Sequence, residues 1–158
     1  MADGREVGSR FFDPGTRVED FLGEVWVRCP RCDAPGIVIA EAPYLTSKPR
    51  FTCVSCVLRL EGRRTRWFGP STHPRTSRGR EPAFGLELRL QTACAGHVLW
   101  AYNPAHLDFI DRYVRADLRE REGTMNGSLV SRLPKWMKAA KHRDEILRAV
   151  SRLRQEHR

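Results

Sequence analysis

Two pairs of cysteines, Cys29-Pro30-Arg31-Cys32 and Cys53-Val54-Ser55-Cys56, each enclose two residues, and 20 residues separate the pairs. That is the spacing of a four-thiolate metal site. A two-residue spacer lets both sulfurs of a tight turn face one ion, and two such turns complete a tetrahedron at ~2.3 Å. Zn²⁺ held by Cys29, Cys32, Cys53 and Cys56 has a closed shell with no position left for a substrate. One structural Zn²⁺ is therefore expected, and such binding contributes ~10–16 kcal/mol to the folding of zinc-finger peptides. An iron centre can use the same four ligands. Reduced core thiols paired by chance are the plainer alternative.

The fifth cysteine lies in Cys94-Ala95-Gly96-His97. The sequence offers no obvious pair to complete a second metal site there. The alternatives are a buried free cysteine beside a turn histidine, or a thiol with His97 as its base. The last would be a thiol enzyme, which needs an electropositive and accessible pocket. Otherwise the chain carries no phosphate-binding glycine loop, no His-Glu-x-x-His helix and no Gly-x-Ser-x-Gly elbow. The carboxylates Asp108, Asp111, Asp117 and Glu120 are interleaved with Arg112, Arg115 and Arg119 at helical spacing, the pattern of a salt-bridged face. No catalytic residue is expected.

The chain has 28 Lys and Arg against 19 Asp and Glu, a formal charge of +9, which favours anionic partners. Two segments hold the excess. Residues 61–80 carry Arg63, Arg64, Arg66, Arg75, Arg78 and Arg80 against Glu61 alone, and residues 131–158 carry nine basic residues against three acidic. Arg64 and Arg66 alternate with Trp67 and Phe68 close by. Guanidinium groups pair with phosphates and exposed aromatics can stack on unpaired bases, so these six arginines are the expected contacts to DNA or RNA. The plainer reading is a solvated basic hairpin whose Trp67 and Phe68 belong to the core. The alternative partner is an acidic protein, with the chain as an adaptor in a larger assembly.

Elements that position these groups can be read from pattern and punctuation. Residues 1–17 show no periodicity and read as a loose tail, and Val18 to Leu22 as a short helical turn. Val25–Val27, Gly36–Ala40, Arg50–Thr52, Val57–Leu60 and Thr65–Phe68 read as short strands between Pro and Gly turns. Leu86 to Leu90 alternates strictly and reads as a strand with its leucines on one face. Val98–Trp100 reads as the last strand. Asn103 then caps a helix that admits Pro104 in its first turn, with Tyr102 and Leu107 as a hydrophobic staple. Leu107, Ile110, Val114 and Leu118 carry that helix to Gly123. Short helical pieces follow around Leu129–Leu133 and from Pro134, and a final helix buries Ile146, Leu147, Val150 and Leu153. The expected fold is α+β: an antiparallel sheet at the front and a C-terminal helical region packed on it. The divisions are a tail at 1–17, a β-rich region at 18–102 and helices at 103–158.

Between residues 24 and 61 the chain resembles the zinc ribbon shared by transcription factor B and polymerase subunits, on the strength of Cys29-Pro30-x-Cys32 and Cys53-x-x-Cys56. Ribbons often carry glycine directly after the second cysteine of each pair. This chain departs from that pattern with Asp33 and Val57. Leu99-Trp100-Ala101-Tyr102-Asn103, Leu133-Pro134-x-Trp136-Met137-Lys138 and Arg143-Asp144-Glu145 also resemble a group of bacterial zinc-ribbon-containing proteins. The resemblance implies a ribbon fold and a zinc cofactor, but no activity.

No apolar run approaches the ~18 residues a membrane span needs. The first residues lack a signal's basic and apolar regions, so a reducing cytoplasmic location is expected. Together these readings give a zinc-binding, non-enzymatic protein of the cytoplasm that binds nucleic acid.

Overall fold

A computed structural model describes residues 10–40, 48–62, 79–116, 118–121 and 127–157. The elements are β1 (Arg10–Asp13), a 3-10 turn (Val18–Phe21), β2 (Glu24–Arg28), β3 (Pro35–Ile39), β4 (Arg50–Cys53), β5 (Arg59–Glu61), β6 (Leu90–Cys94) and β7 (His97–Ala101). They continue with α1 (Pro104–Arg115), β8 (Leu118–Arg121), α2 (Leu129–Arg132), α3 (Lys135–Lys138), a second 3-10 turn (Ala140–His142) and α4 (Arg143–Glu156). An antiparallel β2-β3-β4-β5 sheet followed by C-terminal helices makes the fold α+β, as expected.

Period-two alternation decides which face of the sheet is buried. Val25, Val27, Val38 and Phe51 point into a front core with Leu86, Leu88 and Tyr102. Gly36 lies opposite Cys53, and a Cβ there would run into the Phe51 ring, so glycine makes room for that ring. The free edge of β2 is covered: Trp26 N–H donates to Tyr102 O at 2.8 Å, and Arg28 N–H to Glu87 O at 2.8 Å.

Leu86 to Leu90 has the expected alternation, with all three leucines buried, but is not a full strand. It is held by the bridges Val27↔Leu88 and Arg80↔Glu87 until Leu90 enters β6. The buried Glu81 carboxylate accepts the Ala83 and Phe84 N–H groups, which bends the chain just before it. The Val57–Leu60 strand is likewise shorter, since residues 57 and 58 belong to a turn and β5 starts at Arg59. β6 and β7 form a hairpin in which Ala95 (φ 51°) and Gly96 (φ 72°) both take the left-handed region, as a type I′ turn requires.

Two expectations are corrected at the back of the molecule. Residues 10–13 are not a loose tail but pair in parallel with β8, and Phe11 packs edge-on against Phe109 (5.4 Å) and Tyr113 (5.5 Å). Helix α1 stops at Arg115 and does not continue through Leu118. Ala116 is already extended (ψ 131°), its carbonyl accepts from Arg143 Nη2 at 3.2 Å, and the chain then joins β1. Tertiary pairing overrides a helical repeat that local sequence alone would have continued. The helix start is as expected, with the Asn103 side chain accepting His106 N–H at 2.9 Å.

Helix α4 buries Ile146, Ala149, Val150 and Leu153 against α1 and β6. The carboxylates of α1 pair as a structural face should: Arg154 reaches Asp108 at 2.5 Å and Asp111 at 3.2 Å, and Arg115 Nε meets Asp111 at 3.0 Å. Asp117 lies outside the described residues. Back and front are tied by Asn103 Nδ2, which donates to Phe21 O and Glu24 O, and by Arg89 Nε, which donates to His157 Nδ1 at 3.0 Å. No helix among the described residues is long and apolar enough to cross a membrane.

Candidate metal centre

The sheet register brings the two cysteine pairs together. Cys29–Cys32 turns β2 into β3, and Cys53–Cys56 turns β4 toward β5. Because Gly36 is opposite Cys53, the second turn lands beside the first, and Val54 N–H donates to Pro35 O at 3.1 Å. Each turn is closed by its own backbone. Asp33 N–H donates to Cys29 O at 3.0 Å, Cys29 N–H to Ala34 O at 2.8 Å, and Cys53 N–H to Leu58 O at 2.9 Å. To close this way the residue after the second cysteine must be left-handed, and Asp33 (φ 59°) and Val57 (φ 52°) both are. The departure from glycine thus leaves the turns intact and gives Val57 a conformation that β-branched residues rarely adopt.

All four sulfurs lie within 4.8 Å of one another, with Cys29 Sγ to Cys56 Sγ and Cys32 Sγ to Cys53 Sγ both at 3.6 Å. A tetrahedron with ~2.3 Å metal–sulfur bonds has edges of about 3.8 Å, so the cluster fits a four-thiolate metal ion with little adjustment. Backbone N–H groups also aim at the sulfurs: Arg31 at Cys29 (3.4 Å), and Ser55 (3.3 Å) and Cys56 (3.4 Å) at Cys53. The donor from Cys56, and with it that from Ser55, lowers the Cys53 thiol to about 6. Cys32 gains a similar donor from Ala34, but desolvation and the three neighbouring sulfurs outweigh it and raise the thiol to about 12. Four adjacent thiols cannot all ionise unless a cation shares the charge, which is what a bound metal does.

Of the six arginines expected to meet nucleic acid, Arg80 alone is described. It is exposed, its Nη1 donates to Gly85 O at 3.0 Å, and it sits beside the first cysteine turn. Arg63, Arg64, Arg66, Arg75 and Arg78, with Trp67 and Phe68, lie outside the described residues. Sequence reasoning does not single out two further arginines that the structure places here. Arg28 and Arg31 line an open hollow of about 490 Å³ together with Arg80, Cys29 and Cys32. Their signal is in plain view, since one precedes Cys29 and the other stands inside the turn. Asp33 and Glu87 share the hollow, and Arg28 Nη1 bridges to Asp33 at 3.1 Å.

Cys94 and His97 face each other across the β6–β7 turn but have different surroundings. The Cys94 thiol is buried, and desolvation, then the Glu145 carboxylate, raises it. His97 is exposed and stacks on Trp136 at 4.8 Å. A nucleophilic cysteine needs the opposite environment. Compared with protein-family models, with curated proteins and with solved structures, the chain matches none.

Proposed function

We propose that this chain is a zinc-ribbon protein that binds nucleic acid, with one Zn²⁺ as a structural staple at Cys29, Cys32, Cys53 and Cys56. The four-sulfur cluster carries the metal half of this reading. Four protein thiolates close a tetrahedral shell, so the ion organises the turns and takes no substrate. Zn²⁺ suits such a shell and brings no redox chemistry, which agrees with a basic chain built to hold an anion.

The hollow carries the other half. Arg28, Arg31 and Arg80 converge on the first turn, and Arg50 and Arg59 stand exposed on β4 and β5. Asp33 and Glu87 offset part of that charge, so affinity would also draw on the arginines of residues 61–80. A second reading has its own support. Val54 (64% exposed) and Val57 (76% exposed) present apolar side chains from the second turn, a surface suited to a protein partner.

Oligonucleotide titration across salt separates the two. Zinc-loaded protein should bind DNA or RNA at ~50 mM salt, where the electrostatic term is strong. Arg31→Glu with Arg80→Glu should weaken binding and flatten the salt slope by about two units, one for each phosphate that is no longer neutralised. Zinc content should remain one per chain. No binding at low salt would leave the protein-docking reading in its place.

A further inference from the structure

We propose that the cavity between the first 3-10 turn, β7, α1 and the α2–α3 corner is a binding site for a small, neutral heteroaromatic molecule that carries an N–H donor beside a ring acceptor. The site shares no residue with the cysteine cluster or with the arginine hollow, and the inference does not depend on nucleic-acid binding.

The cavity holds about 380 Å³, within the range of small-molecule sites. Its walls are mostly apolar, with Trp100, Leu133, Trp136 and Met137 among them. Empty apolar space of this size forfeits packing energy, yet the polar groups here are what set the site apart from a packing fault. Glu19 lines the cavity, and its Oε2 is buried without a hydrogen-bond partner. Its Oε1 is 3.5 Å from Arg132 Nη1, and Arg132 lines the cavity too. The pair supplies one negative and one positive charge, which favours a ligand with no net charge. A buried carboxylate oxygen left unpaired costs more than a paired one gains, so a donor placed there is strongly rewarded.

The second polar group is His106, buried in the same wall. Its Nδ1 accepts Tyr102 N–H at 3.2 Å, which puts the ring proton on Nε2. That leaves Nε2–H as the ring's remaining donor. Burial drops His106 to about 4, so the ring is neutral at physiological pH and offers one donor. Phe21 stacks on it at 4.8 Å and Trp100 meets it edge-on at 5.8 Å, which fixes its plane. The cavity therefore asks for one donor to Glu19, one acceptor from His106 and a flat apolar body between aromatic walls.

Adenine, indole and naphthalene test this on the full metal-loaded chain, by calorimetry and by the NMR shifts of the Trp100, Trp136 and His106 signals. Adenine has donor and acceptor, indole a donor alone, naphthalene neither. The expected order is adenine, then indole, then naphthalene. Glu19→Leu should weaken adenine about tenfold, the worth of one buried hydrogen bond. Val98 is half exposed at the rim, so Val98→Trp should block entry without disturbing the core. Competition with short oligoadenylate distinguishes the two sources of such a ring: displacement of adenine means that a base within a strand fits, and its failure means that the free molecule alone does. Equal affinity of the three probes, an unchanged Glu19→Leu or Val98→Trp variant, or no binding by any probe overturns the assignment.

Discussion

Val57→Gly should stabilise the metal-loaded protein, against the usual cost of adding glycine. Val57 is 76% exposed, so removing its side chain sacrifices little buried surface. Its φ of 52° puts a β-branched residue in the left-handed region, where an L side chain costs ~1–2 kcal/mol. Glycine pays an entropy penalty of about 0.5–1 kcal/mol for its freedom in the unfolded chain. The difference leaves a net gain of about 0.5–1 kcal/mol, and each kcal/mol raises Tm by roughly 2–4 °C in a chain of this size.

The gain belongs to the formed turn, so it should also appear as metal affinity. A gain of 1 kcal/mol is about fivefold in Kd, measurable by competition with a chromogenic chelator. Two controls isolate the cause. Val57→Ala keeps a Cβ in the same conformation and should gain almost nothing. Asp33→Gly should be neutral or slightly harmful, because aspartate tolerates φ 59° and the change removes the exposed 3.1 Å pair with Arg28. A Val57→Gly protein that melts lower than wild type, or a Val57→Ala protein that melts as high as Val57→Gly, refutes the reasoning.

Three further outcomes are expected. Stability should decline as pH falls from 6.5 toward 4, because the unfolded chain protonates its histidine first while burial holds folded His106 near 4; the linked loss approaches ~3 kcal/mol, and urea titrations of His106→Gln should lack that part of the slope. Cys94 in metal-loaded protein should alkylate with iodoacetamide at least ~10-fold more slowly than in urea, and Cys94→Ser or His97→Ala should each leave metal stoichiometry unchanged; a second ion lost with either residue counts against their structural role. Chelation should strip hydrogen-exchange protection from β3, β4 and β5 while α1 and α4 keep theirs, since Cys29 and Cys53 belong to the front core and Ile110, Val114, Ile146 and Val150 to the back one; simultaneous loss in both halves would show a single cooperative unit.

The metal centre was legible because its signal is covalent and local. Two cysteines two residues apart must lie on one turn, and strands of matched length had to bring the two turns together. The front strands were legible for a related reason: Val25–Val27, Gly36–Ala40 and Arg50–Thr52 are short β-branched or aromatic runs set off by Pro and Gly turns. The pairing of β1 with β8 was not legible. Arg10–Asp13 is only four residues long, its partner lies more than a hundred positions away, and Leu118 continues the helical repeat of α1. Nothing local distinguishes a helix that runs on from one that a distant strand ends. The cavity was hidden for the same reason, since Glu19, His106 and Trp136 come from three separate elements.

Asp33 and Val57 show how far a local rule can bend when something stronger acts on the same backbone. Aspartate at position 33 tolerates a left-handed backbone, but sequence preference at position 57 argues against one, because valine is β-branched. The turns form nonetheless, closed by Asp33 N–H to Cys29 O and by Cys53 N–H to Leu58 O, with the sulfurs gathered at metal-binding distance. Coordination worth ~10 kcal/mol or more can carry a strain of one or two. The penalty at Val57 falls on a side chain that faces solvent, where it contributes nothing to the core and can be tuned without disturbing the ligands. Substitution there should shift how tightly the ion is held while leaving unchanged which residues hold it.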